Sequence, residues 1–251
     1  MSTSKRNYIP QFRIFLAVVF ILFAFFVSQI VAGGIVYIVA TLGGASQTEA
    51  TKLIEDSTLY QFAFLAIAMA IEIGLFYGIT RITKLNLEYL YPKNFKLEKI
   101  WIIAIGLAVY MVMSTIVAGM LKGVIDENQK QIIGFENVHG VAELIMVFGA
   151  LVVLAPLAEE ILFRGFLYSE FRKKASMVLS IIFVSVLFGS FHLQLGSGKP
   201  PLWAGFADTF FLSVVLCYIR EKTNTIWYGV GIHSLKNFLA FLLLFVFNLR
   251  I

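Results

Sequence analysis

The chain has 251 residues, of which 59% are hydrophobic and 14% are charged, and its net charge is +5. A soluble domain is roughly half apolar and about a quarter charged, so this composition excludes an ordinary water-soluble domain. In a membrane protein, an excess of Lys and Arg marks the cytoplasmic loops, and we therefore expect no nucleic-acid partner. Cys217 is the single cysteine, which excludes an intrachain disulfide and a metal site built from cysteines.

The apolar stretches predict an all-α polytopic membrane protein with about seven transmembrane helices, because a crossing needs about 20 apolar residues. The first stretch is too long for a cleaved signal peptide, and we expect it to tilt or to break near Gly33 and Gly34. The fifth stretch is the shortest. In chain order, the predicted spans cover residues 12–42, 59–80, 100–121, 141–171, 177–192, 202–219 and 226–249.

The charges of the loops predict the orientation of the chain. Lys5 and Arg6 precede the first span, and Glu55 and Asp56 follow it. Further along, basic loops alternate with neutral or mixed ones. Because cytoplasmic loops are enriched in Lys and Arg, we expect a cytoplasmic N-terminus and, with seven spans, a C-terminus on the outer side.

Few ionisable residues lie within the predicted spans. Charged side chains at membrane depth are costly and usually functional, so these residues are the first places to look for chemistry. They are Glu72, Glu143, Glu159, Glu160, Arg164, His192, Asp208, His233 and Lys236.

Two adjacent glutamates in the fourth span are predicted to do different work. Glu160 and Arg164 are four residues apart, so on a helix they share a face and form an ion pair. Glu159 is rotated by about 100° from Glu160 and does not reach Arg164. A carboxylate that is free of an arginine can serve as a general base. The alternative is that both glutamates only stabilise helix packing through ion pairs.

Two of the three histidines lie within predicted spans. His192 follows Phe188 by one helical turn, and His233 precedes Asn237 by one turn on a common face. Counting 1.5 Å per residue from the basic loops places Glu159 and both histidines inside the bilayer, approached from the cytoplasmic side. We therefore expect these groups to be able to converge.

Asp208 stands apart from these pairs, early in the sixth span. A carboxylate often holds a histidine in one tautomer, which gives the hypothesis that Asp208 does so for a catalytic histidine. The alternative is that Asp208 lies at the membrane interface in contact with water.

These strings resemble the motifs of the CPBP family, the intramembrane proteases of CAAX processing and bacteriocin processing that are also called the Abi family. The resemblance covers roughly residues 144–241, and we therefore treat 1–251 as a single membrane domain with three variable spans in 1–140 and a CPBP-like catalytic core in 141–251. The matching strings are Glu159-Glu160 to Arg164, Phe188 to His192, and His233 to Asn237.

The resemblance implies an intramembrane endopeptidase that resembles type II CAAX prenyl endopeptidases. It implies that Glu159 and His192 activate a water, and that His233 and Asn237 stabilise the oxyanion. Glu160 and Arg164 are then supporting residues. The family is often described as metalloproteases, and a catalytic zinc usually has three protein ligands. We favour a glutamate-driven attack without a cofactor, with zinc as the alternative.

The substrate and the cell are less constrained by the sequence. Eukaryotic members of the family remove the last three residues of prenylated CAAX proteins, and a bacteriocin precursor or another membrane peptide is an equally open substrate class. We expect membrane lipid as a partner and the plasma membrane of a bacterium as the location. The alternatives are a non-catalytic immunity or assembly factor of the same fold and a transporter or proton relay, which also uses buried Glu and His.

Overall fold

The structure, a computed structural model, describes residues 9–83, 87–91, 94–125, 129, 131, 133–195 and 198–248. All regular secondary structure in these residues is helical, which confirms the predicted all-α fold class. Six helices of the described chain are long and apolar enough to cross a membrane. The predicted count of seven is not confirmed, because the fifth span forms a helix of 14 residues, Met177–Ser190, which rises about 21 Å against a hydrocarbon core of about 30 Å.

We number the main helices α1 to α8 in chain order. Short 3₁₀ turns at Glu88–Leu90 and Leu97–Lys99 lie between α3 and α4, and π-helical turns at Leu242–Val246 continue α8. The predicted end of the last span, residue 249, lies outside the described residues. The helices are α1 Ile9–Leu42, α2 Gln47–Asp56, α3 Thr58–Thr83, α4 Trp101–Leu121, α5 Val141–Arg172, α6 Met177–Ser190, α7 Trp203–Thr223 and α8 Trp227–Phe241.

The first helix is unbroken, so of the two predicted alternatives the break near Gly33 and Gly34 is wrong, while a tilt of the helix stays a prediction. Glycine weakens a helix in water through its backbone freedom, but in a membrane every backbone group must be bonded within the helix. Gly33 lies where α1 contacts α3, and a Cβ there would lie 3.7 Å from the ring of Phe64, an ordinary van der Waals distance.

The helices α1 and α3 carry apolar side chains on their outer faces and a polar pair between them. Ile30 and Ile82 are 74% and 80% exposed, as suits side chains that face lipid. Between the helices, the Ser28 hydroxyl donates a hydrogen bond to Glu72 Oε1 at 2.8 Å, and both residues are buried. A buried carboxyl without such a partner would be costly, so this bond fixes the rotation of α3 against α1.

The central helix α5 changes its winding twice. It contains π-helical segments at Gly149–Leu154 and Glu160–Leu167. Pro156 lies two residues after the end of the first segment, and it has no N–H for the turn before it and crowds that turn with its ring. This is the physical reason for the wider turns there. π-Helical turns often occur at functional sites, and here they flank Glu159.

The helix α4 packs against α7 and α8 through glycines. A Cβ on Gly106 would lie 2.5 Å from Ile232 Cδ1 and 2.8 Å from Ile219 Cδ1. Conversely, a Cβ on Gly231 of α8 would lie 2.5 Å from Ile103 Cδ1 on α4. Each glycine therefore receives an isoleucine of the facing helix, and this interlocking sets how closely α4 approaches the C-terminal helices.

Replacing Gly106 by Leu should lower the stability of the protein by about 1 to 3 kcal/mol, because overpacking displaces neighbouring side chains and backbone. Gly119 on the same helix is the matched control, since no atom lies within 4 Å of its Cβ position. Thermal melts of the purified proteins in detergent compare the two. Equal melting temperatures for Gly106→Leu and Gly119→Leu would contradict the interlocking contact.

Candidate active site

A cavity of about 350 Å³ lies between the membrane helices. Its wall includes all four residues that the sequence predicts as catalytic, although they come from α5, the turn after α6, and α8. Helices outside the C-terminal half also contribute, since α1 and α3 supply part of the wall. The polar and charged side chains of the wall are Gln29, Glu72, Gln131, Glu159, His192, Asp208, Thr209, His233, Lys236 and Asn237.

The predicted ion pair between Glu160 and Arg164 is confirmed. Arg164 Nη1 donates to Glu160 Oε1 at 2.8 Å, and both side chains are fully buried. The guanidinium carbon of Arg164 also lies 4.3 Å from the centre of the Phe188 ring, within the range of a cation–π interaction. The charge of Arg164 is thus balanced by a carboxylate in one direction and by an aromatic face in another.

Glu159 points into the cavity, away from Arg164, as predicted from its rotation on the helix. About 29% of its side chain is exposed, whereas the side chain of Glu160 is fully buried. Glu159 Oε2 lies 3.8 Å from Nε2 of His233, which is too long for a hydrogen bond. The two adjacent glutamates therefore separate into one that faces the cavity and one that is sealed into the protein.

His233 lies between the two carboxylates. Its Nε2 faces Glu159, and its Nδ1 lies 3.4 Å from Glu160 Oε1. Gly229, one turn earlier on α8, permits this arrangement, because a Cβ at that position would lie 2.8 Å from Glu160 Oε2. Any larger residue there would push the Glu160 carboxylate away from its place between Arg164 and His233.

The backbone of α6 fixes the tautomer of His192. His192 Nδ1 lies 2.9 Å from the carbonyl oxygen of Phe188. A carbonyl only accepts, so Nδ1 carries the proton and donates, and the neutral ring keeps Nε2 as an acceptor. The Phe188 ring itself packs against the rings of both His192 and His233, at 4.8 and 6.1 Å between centroids.

Asn237 is held by the first π-helical segment of α5. Its Nδ2 donates to the carbonyl oxygen of Leu151 at 2.8 Å. A side-chain amide has two N–H donors, so one donor anchors the side chain and the second is left for a group in the cavity. Because the anchor is a backbone atom of a different helix, the amide is held at a fixed position one turn after His233.

The prediction that Asp208 orients a catalytic histidine is wrong. Asp208 Oδ1 accepts from Tyr110 Oη at 2.6 Å and from Ser114 Oγ at 2.7 Å, and Oδ2 lies 3.6 Å from Lys236 Nζ. Asp208 also forms part of the cavity wall. Sequence spacing carries no signal for these contacts, because two of the partners lie about a hundred residues earlier, on α4.

Glu72 also lies on the cavity wall, although its place in the sequence assigned it no role. It stands in α3, outside the three motifs, and it shares the cavity wall with Glu159. The sequence did contain one signal that Glu72 has a role, because it is an isolated acidic residue within an apolar span. Its partner Ser28 is 44 residues away, so the sequence alone did not indicate where it points.

The described residues do not fit a metal site. No group of three or more His, Cys, Asp or Glu side chains in that part of the chain is placed to hold a metal ion. A catalytic zinc usually takes three such ligands. In addition, the Glu160 carboxylate pairs with Arg164, and Nδ1 of His233 lies 3.4 Å from that carboxylate.

Comparison with known families gives a match within the C-terminal part of the chain. Residues 141–239 match the family model described as Type II CAAX prenyl endopeptidase Rce1-like. The match begins at the first residue of α5 and ends within α8, so it spans every motif residue of the site. Comparisons with curated proteins and with solved structures gave no match.

Glu160→Gln should destabilise the protein more than Glu159→Gln does. Loss of the Glu160 charge leaves Arg164 buried without its counter-ion, and breaking such a pair costs about 3 to 5 kcal/mol. Glu159 contacts the cavity and pairs with no arginine, so its replacement by Gln should change stability by less than about 1 kcal/mol. Thermal melts in detergent measure the difference, and similar melting temperatures for both variants would disprove it.

Proposed function

We propose that this chain, whose residues 141–239 form an Rce1-like domain of a CAAX protease family, is an intramembrane endopeptidase in which a glutamate activates water. The observation that carries the proposal is the cavity between the membrane helices, which brings Glu159, His192, His233 and Asn237 together. These groups are a base, an acceptor and two donors, the set that amide hydrolysis requires.

In the first step, a water molecule between Glu159 and His192 attacks the carbonyl carbon of the substrate. The Glu159 carboxylate takes one proton of the water, and the Nε2 acceptor of His192 orients the water through its other proton. As the new C–O bond forms, the carbonyl electrons move onto the carbonyl oxygen. Donors aimed at that oxygen lower the barrier, and we assign this role to His233 and to the second amide N–H of Asn237.

In the second step, the oxyanion re-forms the carbonyl and the C–N bond breaks. The leaving amine takes the proton that Glu159 holds, which returns the glutamate to its carboxylate form. Water has then supplied the hydroxyl of the new acid and the hydrogen of the new amine. Glu160 and Arg164 contact neither water nor substrate in this scheme, and they hold His233 and the segment of α5 that carries Glu159.

The substrate in this proposal is a membrane-anchored peptide. The cavity lies among spans, and much of its wall is apolar, with Phe25 and Met69 from α1 and α3 and Phe163 and Phe188 from the C-terminal helices. A peptide that is tethered to lipid reaches such a site without leaving the membrane. Prenylated C-terminal segments are the first class to test, because the matched family is described by prenyl endopeptidase activity, and bacteriocin precursors are the second.

We further propose that the protein resides in the plasma membrane of a bacterium with its N-terminus in the cytoplasm. The six long apolar helices make it a multi-pass membrane protein. The alternation of basic and neutral loops supports the orientation, which would open the cavity toward cytoplasmic substrates.

Replacing Glu159 by Gln should reduce peptide hydrolysis by about 10² to 10⁴-fold, the usual contribution of a general base. Gln keeps the shape of the side chain and removes the proton acceptor. The matched control is Glu98→Gln, because Glu98 is exposed, with 72% of its side chain accessible. Hydrolysis of a set of lipid-anchored peptides by purified protein in vesicles measures both variants, and full activity of Glu159→Gln would remove Glu159 from the role of base.

Removing divalent metal should leave the activity unchanged, because Glu159 takes the proton from water itself. A zinc enzyme instead depends on the metal to lower the pKa of its bound water. The measurement is a long incubation with a membrane-permeant zinc chelator, together with elemental analysis of the purified protein and a known zinc protease as the treated control. One zinc per chain, with loss of activity on its removal and recovery on its return, would overturn the glutamate-driven scheme.

A further inference from the structure

Lys236 brings a positive charge to the cavity wall. Among the described residues that line the cavity, it is the single Lys or Arg. It lies on α8 between His233 and Asn237, and about 24% of its side chain is exposed. A lysine at membrane depth is costly, so packing alone does not explain why Lys236 faces the cavity.

The surroundings of Lys236 hold its charge in place without using up its donors. Its Nζ lies 3.6 Å from Asp208 Oδ2, which is longer than a hydrogen bond. Asp208 is fixed by Tyr110 and Ser114, whose hydroxyls both donate to its other oxygen, Oδ1. An ammonium has three N–H donors, and this arrangement leaves donors for a ligand within the cavity.

The other charged side chains of the cavity indicate the chemical class of that ligand. Glu72, Glu159 and Asp208 are acidic and lie on the same wall surface, so an anion is repelled except at the position of Lys236. The anion that every unmodified peptide carries is its terminal α-carboxylate. A charge-assisted hydrogen bond between ammonium and carboxylate is among the stronger polar contacts in proteins.

Given the proposed function, we propose that Lys236 binds the α-carboxylate of the substrate and so sets how far from the C-terminus the chain is cut. Lys236 follows His233 by three residues, which is a rise of about 4.5 Å on α8. Three extended residues of substrate span about 10 Å, and the long lysine side chain covers the rest of that distance. A carboxylate held at Lys236 would place a peptide bond a few residues upstream beside Glu159 and Asn237.

The first experiment compares hydrolysis of two lipid-anchored peptides that differ only in the terminus, a free acid and an amide. For the wild-type protein, kcat/KM should be at least about tenfold higher for the acid, in line with the strength of hydrogen bonds to charged groups. Lys236→Met should remove this preference by lowering hydrolysis of the acid to the level of the amide, and Lys236→Arg should restore it. Lys222→Met, at an exposed lysine over Tyr218, is the matched control and should keep the wild-type preference.

A second variant distinguishes loss of carboxylate binding from loss of folding. Because Lys236→Met leaves Asp208 without its cation, the double variant Lys236→Met with Asp208→Asn removes both charges together. It should also lose the preference for the acid. An equal loss of hydrolysis of both peptides in both variants would show that Lys236 acts only in stability, and no preference in the wild-type protein would equally overturn the carboxylate site.

Binding separates this proposal from the proposed function. In the Glu159→Gln background, the free-acid peptide should bind at least about tenfold more tightly than the amide, and Lys236→Met should abolish the difference. Binding of this kind without any hydrolysis by the wild-type protein would retain the carboxylate site and reject the peptidase. Hydrolysis without discrimination would retain the peptidase and reject the carboxylate site. An amidated peptide ending in Asp serves as a further arm, and tight binding of it would show recognition of any carboxylate rather than of the terminus.

Discussion

The buried ion pair of Glu160 and Arg164 is the constraint on which the rest of the site depends. Both side chains are fully excluded from solvent, and an unpaired charge at such a place would cost several kcal/mol. Arg164 therefore stays paired with Glu160, and the neighbouring side chains pack around the pair. Phe188 covers the guanidinium, His233 approaches the carboxylate, and Gly229 gives the carboxylate room.

This one pair links the three motifs physically. It lies on α5, its aromatic cover belongs to α6, and its histidine belongs to α8, so each motif contributes one contact to the same buried charge. Residues of the same motifs also position the groups that face the cavity. The carbonyl of Phe188 sets the tautomer of His192, and α5 directs Glu159 away from Arg164, toward the cavity.

The N-terminal helices take part in the site although the family match begins only at α5. Glu72 from α3 lies on the cavity wall with its partner Ser28 on α1. Tyr110 and Ser114 from α4 fix Asp208, which in turn faces Lys236. The motifs thus supply the groups we assign to chemistry, and the first three long helices supply polar groups that change the charge and shape of the same cavity.

The sequence by itself determined the membrane class and the Glu160–Arg164 pair. It also determined six of the seven predicted spans, all but the fifth, which form long helices close to their predicted bounds in the described chain. Apolar length and four-residue spacing are local properties, so the sequence alone reveals them. The tertiary structure alone decided the place of Glu72 and the partners of Asp208. These depend on contacts between residues that are distant in the chain, such as Asp208 with Tyr110, and periodicity carries no information about which helices become neighbours. The break that was one alternative near Gly33 and Gly34 does not occur, for a related reason. A membrane requires unbroken backbone hydrogen bonds, and the helix propensity of glycine, which is measured in water, does not account for that requirement.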